Sequence, residues 1–195
     1  MISIFFIILL FMFIIYYYYE KTHYFKIDLV ESDIDSKSYL VRDLPDKKLA
    51  ANMLAKININ MQKLRTYLIT NKEKYPKYSK YIAQLDNKLK DTKIQESSDD
   101  GLYTSYSVNK GEEIIFCLRS RNEKHNKLHD LNLLMYVVLH EMAHVACPEF
   151  GHTELFKDIF SFFVIEAINI GIYTKIDFKA NNTPYCGLNI TDSIV

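Results

Sequence analysis

The residues with the most chemistry in them are Leu139-His140-Glu141-Met142-Ala143-His144, followed shortly by Phe150-Gly151-His152. Two histidines four apart on a helix lie one above the other on the same face. Both imidazoles then reach one Zn2+ at about 2.0–2.1 Å, and Glu141, beside the first, can approach a water held by that ion. Such a set does hydrolysis: a zinc-activated water attacks a carbonyl while a glutamate serves as general base.

A helix must carry the pair. From Asp130, an N-cap, the chain reads Leu131-Asn132-Leu133-Leu134-Met135-Tyr136-Val137-Val138-Leu139-His140. Leu133 with Val137 and Leu134 with Val138 form apolar i,i+4 pairs, so the helix is nearly all buried. A histidine–glutamate–histidine trio at the end of such a helix is costly unless something satisfies it, and a metal does. Pro148 pushes Cys147 out of helical conformation and Gly151 permits a sharp reversal. His152 therefore starts a new segment, placed to swing back and close the coordination.

His140-Glu141-Met142-Ala143-His144, a short linker, Gly151-His152 and then Phe156 resemble the zincin-like WLM and SprT-type metallopeptidases. The resemblance runs from Tyr103 to Gly171. It implies His140, His144 and His152 as zinc ligands and Glu141 as catalytic acid/base. It also implies substrates among proteins attached to DNA or ubiquitin-like modifiers, and kinship with membrane-anchored versions in large DNA viruses.

Two competitors for the third ligand lie nearby. Cys147 is a soft donor but would have to project from the helix exit. Glu166 matches a zincin subgroup that takes a glutamate from a later helix, yet Phe162 stands where that subgroup has a polar residue. Ligand spacing favours His152 over both. His125 and His129 lack helical spacing to the pair and read as surface residues.

The chain opens with an uncharged run, Ile2 to Tyr19, which as a helix spans roughly 27 Å. Four closing tyrosines suit an aromatic belt, and the absence of a basic flank and of a small-x-small cleavage site argues against a removed signal peptide. The expectation is a single-pass membrane anchor over residues 1–19. Lys21 and Lys26 follow it, placing the rest on the cytosolic side. Cys117, Cys147 and Cys186 agree, being an odd three with no disulfide framework.

Residues 20–43 read as a tether with some local extended structure and 44–195 as one metallopeptidase domain. Asp46 caps a helix whose Ala50, Leu54, Ile57, Met61, Leu64 and Leu68 form an apolar stripe. Pro76 interrupts, and a second helix follows with Tyr78, Tyr81, Ile82, Leu85 and Leu89 on its inner face. Asp91 to Gly101 reads as a solvated loop. Tyr103 to Val108 and Glu112 to Arg119 flank the turn Asn109-Lys110-Gly111 and predict a hairpin, the edge on which zincins hold an extended substrate. Arg119 and Arg121 orient a substrate carboxylate or are simply solvated. A last apolar helix runs from Thr153 to Ile170, stopped by Gly171. Tyr173 and Tyr185 in the tail could each donate to an oxyanion, and nothing in the sequence selects one.

The fold class expected is α+β: a zincin-like domain with a small antiparallel sheet on the active-site helix, preceded by a transmembrane helix. With 24 basic and 24 acidic residues the chain carries no net charge, which argues against a nucleic-acid binder. The expected function is a membrane-anchored zinc endopeptidase acting on a protein or peptide substrate. The alternative is a non-catalytic, zinc-binding, membrane-anchored assembly protein whose stripe over residues 50–68 docks a partner.

Overall fold

Side chains of opposite character alternate or recur along the chain so that four helices and three small sheets enclose one core. The computed structural model describes residues 4–24, 27–98, 104–121 and 126–195. Expectations for Met1 to Ser3, Lys26, Asp99 to Gly101, Tyr103 and His125 lie outside the described residues.

Helix α1 (Ile4–Tyr24) comes first, and its described side chains are exposed. The expected anchor is corrected here. Among the described residues no helix is long and apolar enough to cross a membrane. The aliphatic and phenylalanine part of α1 ends at Ile15, only about 18 Å from its start at 1.5 Å per residue, against about 30 Å of hydrocarbon. Amphipathic Tyr16–Tyr19 and then Glu20 and Lys21 complete the helix. The 27 Å span counted the tyrosines as apolar. The single-pass localisation, and the cytosolic side assigned from its flanks, fall with it.

Strands β1 (Ile27–Glu31) and β2 (Ser38–Arg42) form an antiparallel hairpin where a tether was expected, with Tyr39 and Val41 turned into the core. Helix α2 (Lys47–Thr70) follows, and every residue of its stripe is buried in the chain's own core. Helix α3 (Ser79–Leu89) enters after Pro76 through a short 3-10 turn and buries Tyr81, Ile82, Leu85 and Leu89. The stripe is thus covered by the chain's own core.

The central sheet has strand order β3-β5-β4, from β3 (Lys93–Glu96), β4 (Tyr106–Val108) and β5 (Glu113–Phe116). Strand β4 pairs antiparallel with β5 as the turn signal predicts, whereas β3 pairs parallel with β5. The supposed loop is therefore partly a strand, and the sheet is mixed. Lys93-Ile94-Gln95-Glu96 carries little β-propensity, and its pairing depends on a distant partner. Its buried Glu96 accepts from Arg119 Nε at 2.7 Å.

Helices α4 (Leu131–Ala146) and α5 (Glu154–Asn169) pack on each other and on this framework. Asp130 caps α4 by accepting from the Asn132 and Leu133 amides, and Thr153 caps α5. Cys147 is extended before Pro148 and Gly151 has φ +78°. The helix–reversal–helix expectation holds in detail. The tail adds a hairpin, β6 (Thr183–Tyr185) and β7 (Leu188–Ile190). The cysteine expectation is corrected as well: Cys117 and Cys186 form a disulfide across 69 positions, and Cys147 alone is free and buried. Neither the odd count nor the wide spacing could reveal a contact made only when the tail folds back.

Candidate metal centre and cleft

The three imidazoles converge. His144 Nε2 lies 3.1 Å from His140 Nε2 and 3.2 Å from His152 Nε2, and His152 and His140 are 3.0 Å apart. Each ring nitrogen has one lone pair or one proton, directed outward along the ring, so it cannot bond two neighbours at once. A triangle of this size has another explanation. Donors around a tetrahedral zinc at about 2.0–2.1 Å stand about 3.3 Å apart. The three histidines thus fit a divalent ion by number, type and spacing.

Their surroundings keep the two α4 imidazoles, His140 and His144, neutral. Burial, with His144 and His152 adding to it, holds His140 down to about 3, and burial with His152 and Lys110 holds His144 down to about 4. Neutral imidazole is the ligating form. Phe156, one turn into α5, stacks on His144 with ring centroids 4.1 Å apart and meets His140 edge-on at 5.0 Å. The aromatic after the third histidine therefore fixes the tilt of two ligating rings.

The loop carrying His152 is held from the opposite side. Lys110 Nζ, at the β4–β5 turn, donates to the carbonyls of Cys147 at 2.9 Å and Glu149 at 2.7 Å. It also lies 4.3 Å from the centre of the Phe150 ring. Gly111 lets the turn press onto α4: a Cβ there would meet Val145 Cγ1 at 2.9 Å, and its φ is +107°. The sequence placed Lys110 in a turn but held no signal of this role.

Glu141 is 4% exposed, and burial raises its carboxyl to about 7. It lines a cleft of about 780 Å3 together with the three histidines. From β4 and its approach the cleft takes Ser105, Tyr106 and Ser107, and from the tail Tyr185, Leu188 and Ile190. Strand β4 is the edge of its sheet among the described residues, and its Tyr106 and Ser107 line the cleft.

Other sequence candidates lie elsewhere. Glu166 accepts from Tyr75 Oη at 2.8 Å, and Cys147 is buried behind α4, so neither joins the histidines. Arg119 does not face substrate: 2% exposed, it pairs with Glu96 at 2.7 Å and Asp46 at 2.6 Å. Asp46 spends its carboxylate there and does not cap α2 through its side chain. His129 is half-buried against Tyr185 and 3.5 Å from Cys186 Sγ, not at the surface. Phe150 is 85% exposed at the lip of the cleft. Tyr173 is buried against Tyr136 and does not line the cleft, whereas Tyr185 does.

No family model matches the chain. Uncharacterized protein R325 of Acanthamoeba polyphaga mimivirus is 49% identical over 166 residues, which are 85% of this chain and 83% of that protein. Uncharacterized protein 136R of Invertebrate iridescent virus 6 is 32% identical over 112 residues, 56% of this chain and 58% of that one. Uncharacterized protein 042R of Invertebrate iridescent virus 3 is 39% identical over 84 residues, 43% and 50% of the two chains. The crystal structure of Wss1 from Saccharomyces cerevisiae superposes with a TM-score of 0.48 at 20% identity, covering 67% of this chain and 87% of that one.

Proposed function

This chain belongs to the family of the mimivirus protein R325, and we propose that it is a zinc-dependent endopeptidase with His140, His144 and His152 as metal ligands and Glu141 as general base. The observation that carries the reading is the triangle of three imidazole nitrogens beside a buried glutamate in an open cleft. The resemblance of the motif to WLM and SprT-type metallopeptidases supports it.

His140, His144 and His152 would hold a divalent ion, which when bound would supply an acidified water and a Lewis acid for the scissile carbonyl. The chain's own residues do the rest. Glu141 takes a proton from the attacking water and hands it to the leaving amine nitrogen as the C–N bond breaks. The outer edge of β4 offers backbone amides and carbonyls to an extended peptide, an affinity that tolerates varied sequence. Lys110 and Phe156 hold ligands in place and touch no reacting atom.

The alternative, a non-catalytic assembly protein, loses its main support because the stripe over residues 50–68 is buried in the core. A closed structural zinc site would also use a fourth protein donor, and among the described residues the cluster has three. The test is incubation of the zinc-loaded protein with denatured casein. Cleavage that stops with a chelator, and that Glu141→Gln abolishes while retaining zinc, is the expected result. A Glu141→Gln protein that cleaves at the wild-type rate removes the proposal.

A further inference from the structure

The tail hairpin lines one side of the cleft, and a disulfide at its turn ties it to the segment after β5. Strands β6 and β7 are three residues each, and the two-residue turn between them is Cys186-Gly187, both at positive φ. A two-stranded hairpin this short is marginal by itself. Its turn is pinned to the segment after β5 by the Cys117–Cys186 disulfide. The residue just before the turn is Tyr185, 4% exposed, with its ring 5.1 Å from that of His129.

The phenol oxygen is held in place. Tyr185 Oη lies 2.6 Å from Ser105 Oγ, and Ser105 Oγ itself accepts from the Cys117 amide at 3.0 Å. Either oxygen can donate in the Ser105–Tyr185 contact, because Ser105 has a second lone pair as well as its own proton; with Ser105 as donor, the phenol proton is the one left for the cleft that Tyr185 lines. Burial raises the Tyr185 pKa well above the usual phenol value, with the nearby Glu141 charge adding to it, so the group stays protonated at neutral pH.

We propose that Tyr185 is a catalytic residue, donating a hydrogen bond to the scissile carbonyl oxygen as negative charge builds there, and that the Cys117–Cys186 disulfide seats it. The assignment rests on the peptidase reading above. Tyr185 keeps its proton throughout: the water oxygen forms the new bond to carbon, its proton goes to Glu141, and Glu141 returns it to the departing nitrogen. The donor's contribution is a charge-assisted hydrogen bond made only in the transition state.

The test compares zinc-loaded wild type with Tyr185→Phe on a quenched fluorescent peptide taken from a casein fragment that the wild type cleaves. Loss of one such donor predicts a fall in kcat of about 100-fold with KM within about twofold and zinc content unchanged. A phosphinic pseudopeptide of the same sequence, whose tetrahedral phosphinate resembles the transition state, is expected to bind Tyr185→Phe at least about tenfold more weakly by calorimetry. Ser105→Ala is a milder companion with a smaller kcat loss. Reduction with a phosphine, or the Cys117→Ser/Cys186→Ser pair, brings the wild type down toward the Tyr185→Phe level and changes Tyr185→Phe little. Wild-type kcat and pseudopeptide affinity in Tyr185→Phe overturn the assignment alone. Equal losses on reducing both proteins overturn the seating role. A zinc-loaded wild type that cleaves no peptide overturns the peptidase reading and this assignment together.

Discussion

His152 Nε2 lies 3.0 Å from His140 Nε2, although a helix end, a proline and a chain reversal separate them in sequence. The link between them is not slack. Phe156 stacks behind the rings and Lys110 grips the intervening loop, so the third imidazole is aimed by contacts from two different elements.

That arrangement separates His152 from the competing ligand. His152→Ala is expected to weaken zinc binding by more than about 100-fold, beyond what loss of an outer partner costs. Glu166→Gln is expected to leave zinc affinity unchanged, since Glu166 is engaged with Tyr75. Zinc competition against a colorimetric chelator reads both. Loss of zinc in Glu166→Gln with retention in His152→Ala would reverse the assignment.

Phe156→Ala removes a buried ring that touches both α4 histidines. Its expected cost is about 3–5 kcal/mol of stability, by transfer and cavity formation. Urea unfolding measures it. A loss under about 1 kcal/mol would mean that the ring is not packed as described.

Lys110→Met keeps the stem length and removes the ammonium that holds two loop carbonyls. Zinc affinity is expected to fall about tenfold, as for other outer-shell groups, with the fold retained. Lys110→Arg is expected to recover part of the loss. Unchanged affinity in Lys110→Met would show that the loop holds His152 without help.

The pH dependence of the metal-free protein follows from the shifted groups. His140 and His144 are lowered to about 3 and about 4 from 6.5, so below pH 6.5 the unfolded chain binds protons that the folded chain refuses. Each then removes up to about 1.4 kcal/mol of stability per pH unit as pH falls. Glu141, raised to about 7 from 4.5, acts in the opposite direction between those values. Among these three site groups, two against one leave a net loss from pH 6.5 toward 4.5, of no more than about 1.4 kcal/mol per unit. Urea midpoints of chelator-treated protein at pH 6.5 and 5 test it, and a higher midpoint at pH 5 contradicts it.

Much of the centre was legible in the sequence because its determinants are local. Asp130, Pro148, Gly151 and Thr153 act on their own neighbours, and each does in the structure what its chemistry dictates there. What was missed depends on distant partners. Strand β3 exists because β5 lies beside it, Arg119 is buried because Glu96 and Asp46 meet it, and Cys186 finds Cys117 only when the tail returns. Tyr185 could not be told from Tyr173 for the same reason. The anchor failed on a count, because tyrosines that suit an interface do not lengthen an apolar span.

X-ray absorption on the zinc-loaded protein tests the central claim most directly. One zinc per chain is predicted, with three imidazole nitrogens at about 2.0–2.1 Å and one further oxygen ligand. A sulfur in the shell, a fourth protein donor closing it, or a chain that takes up no zinc would contradict the account.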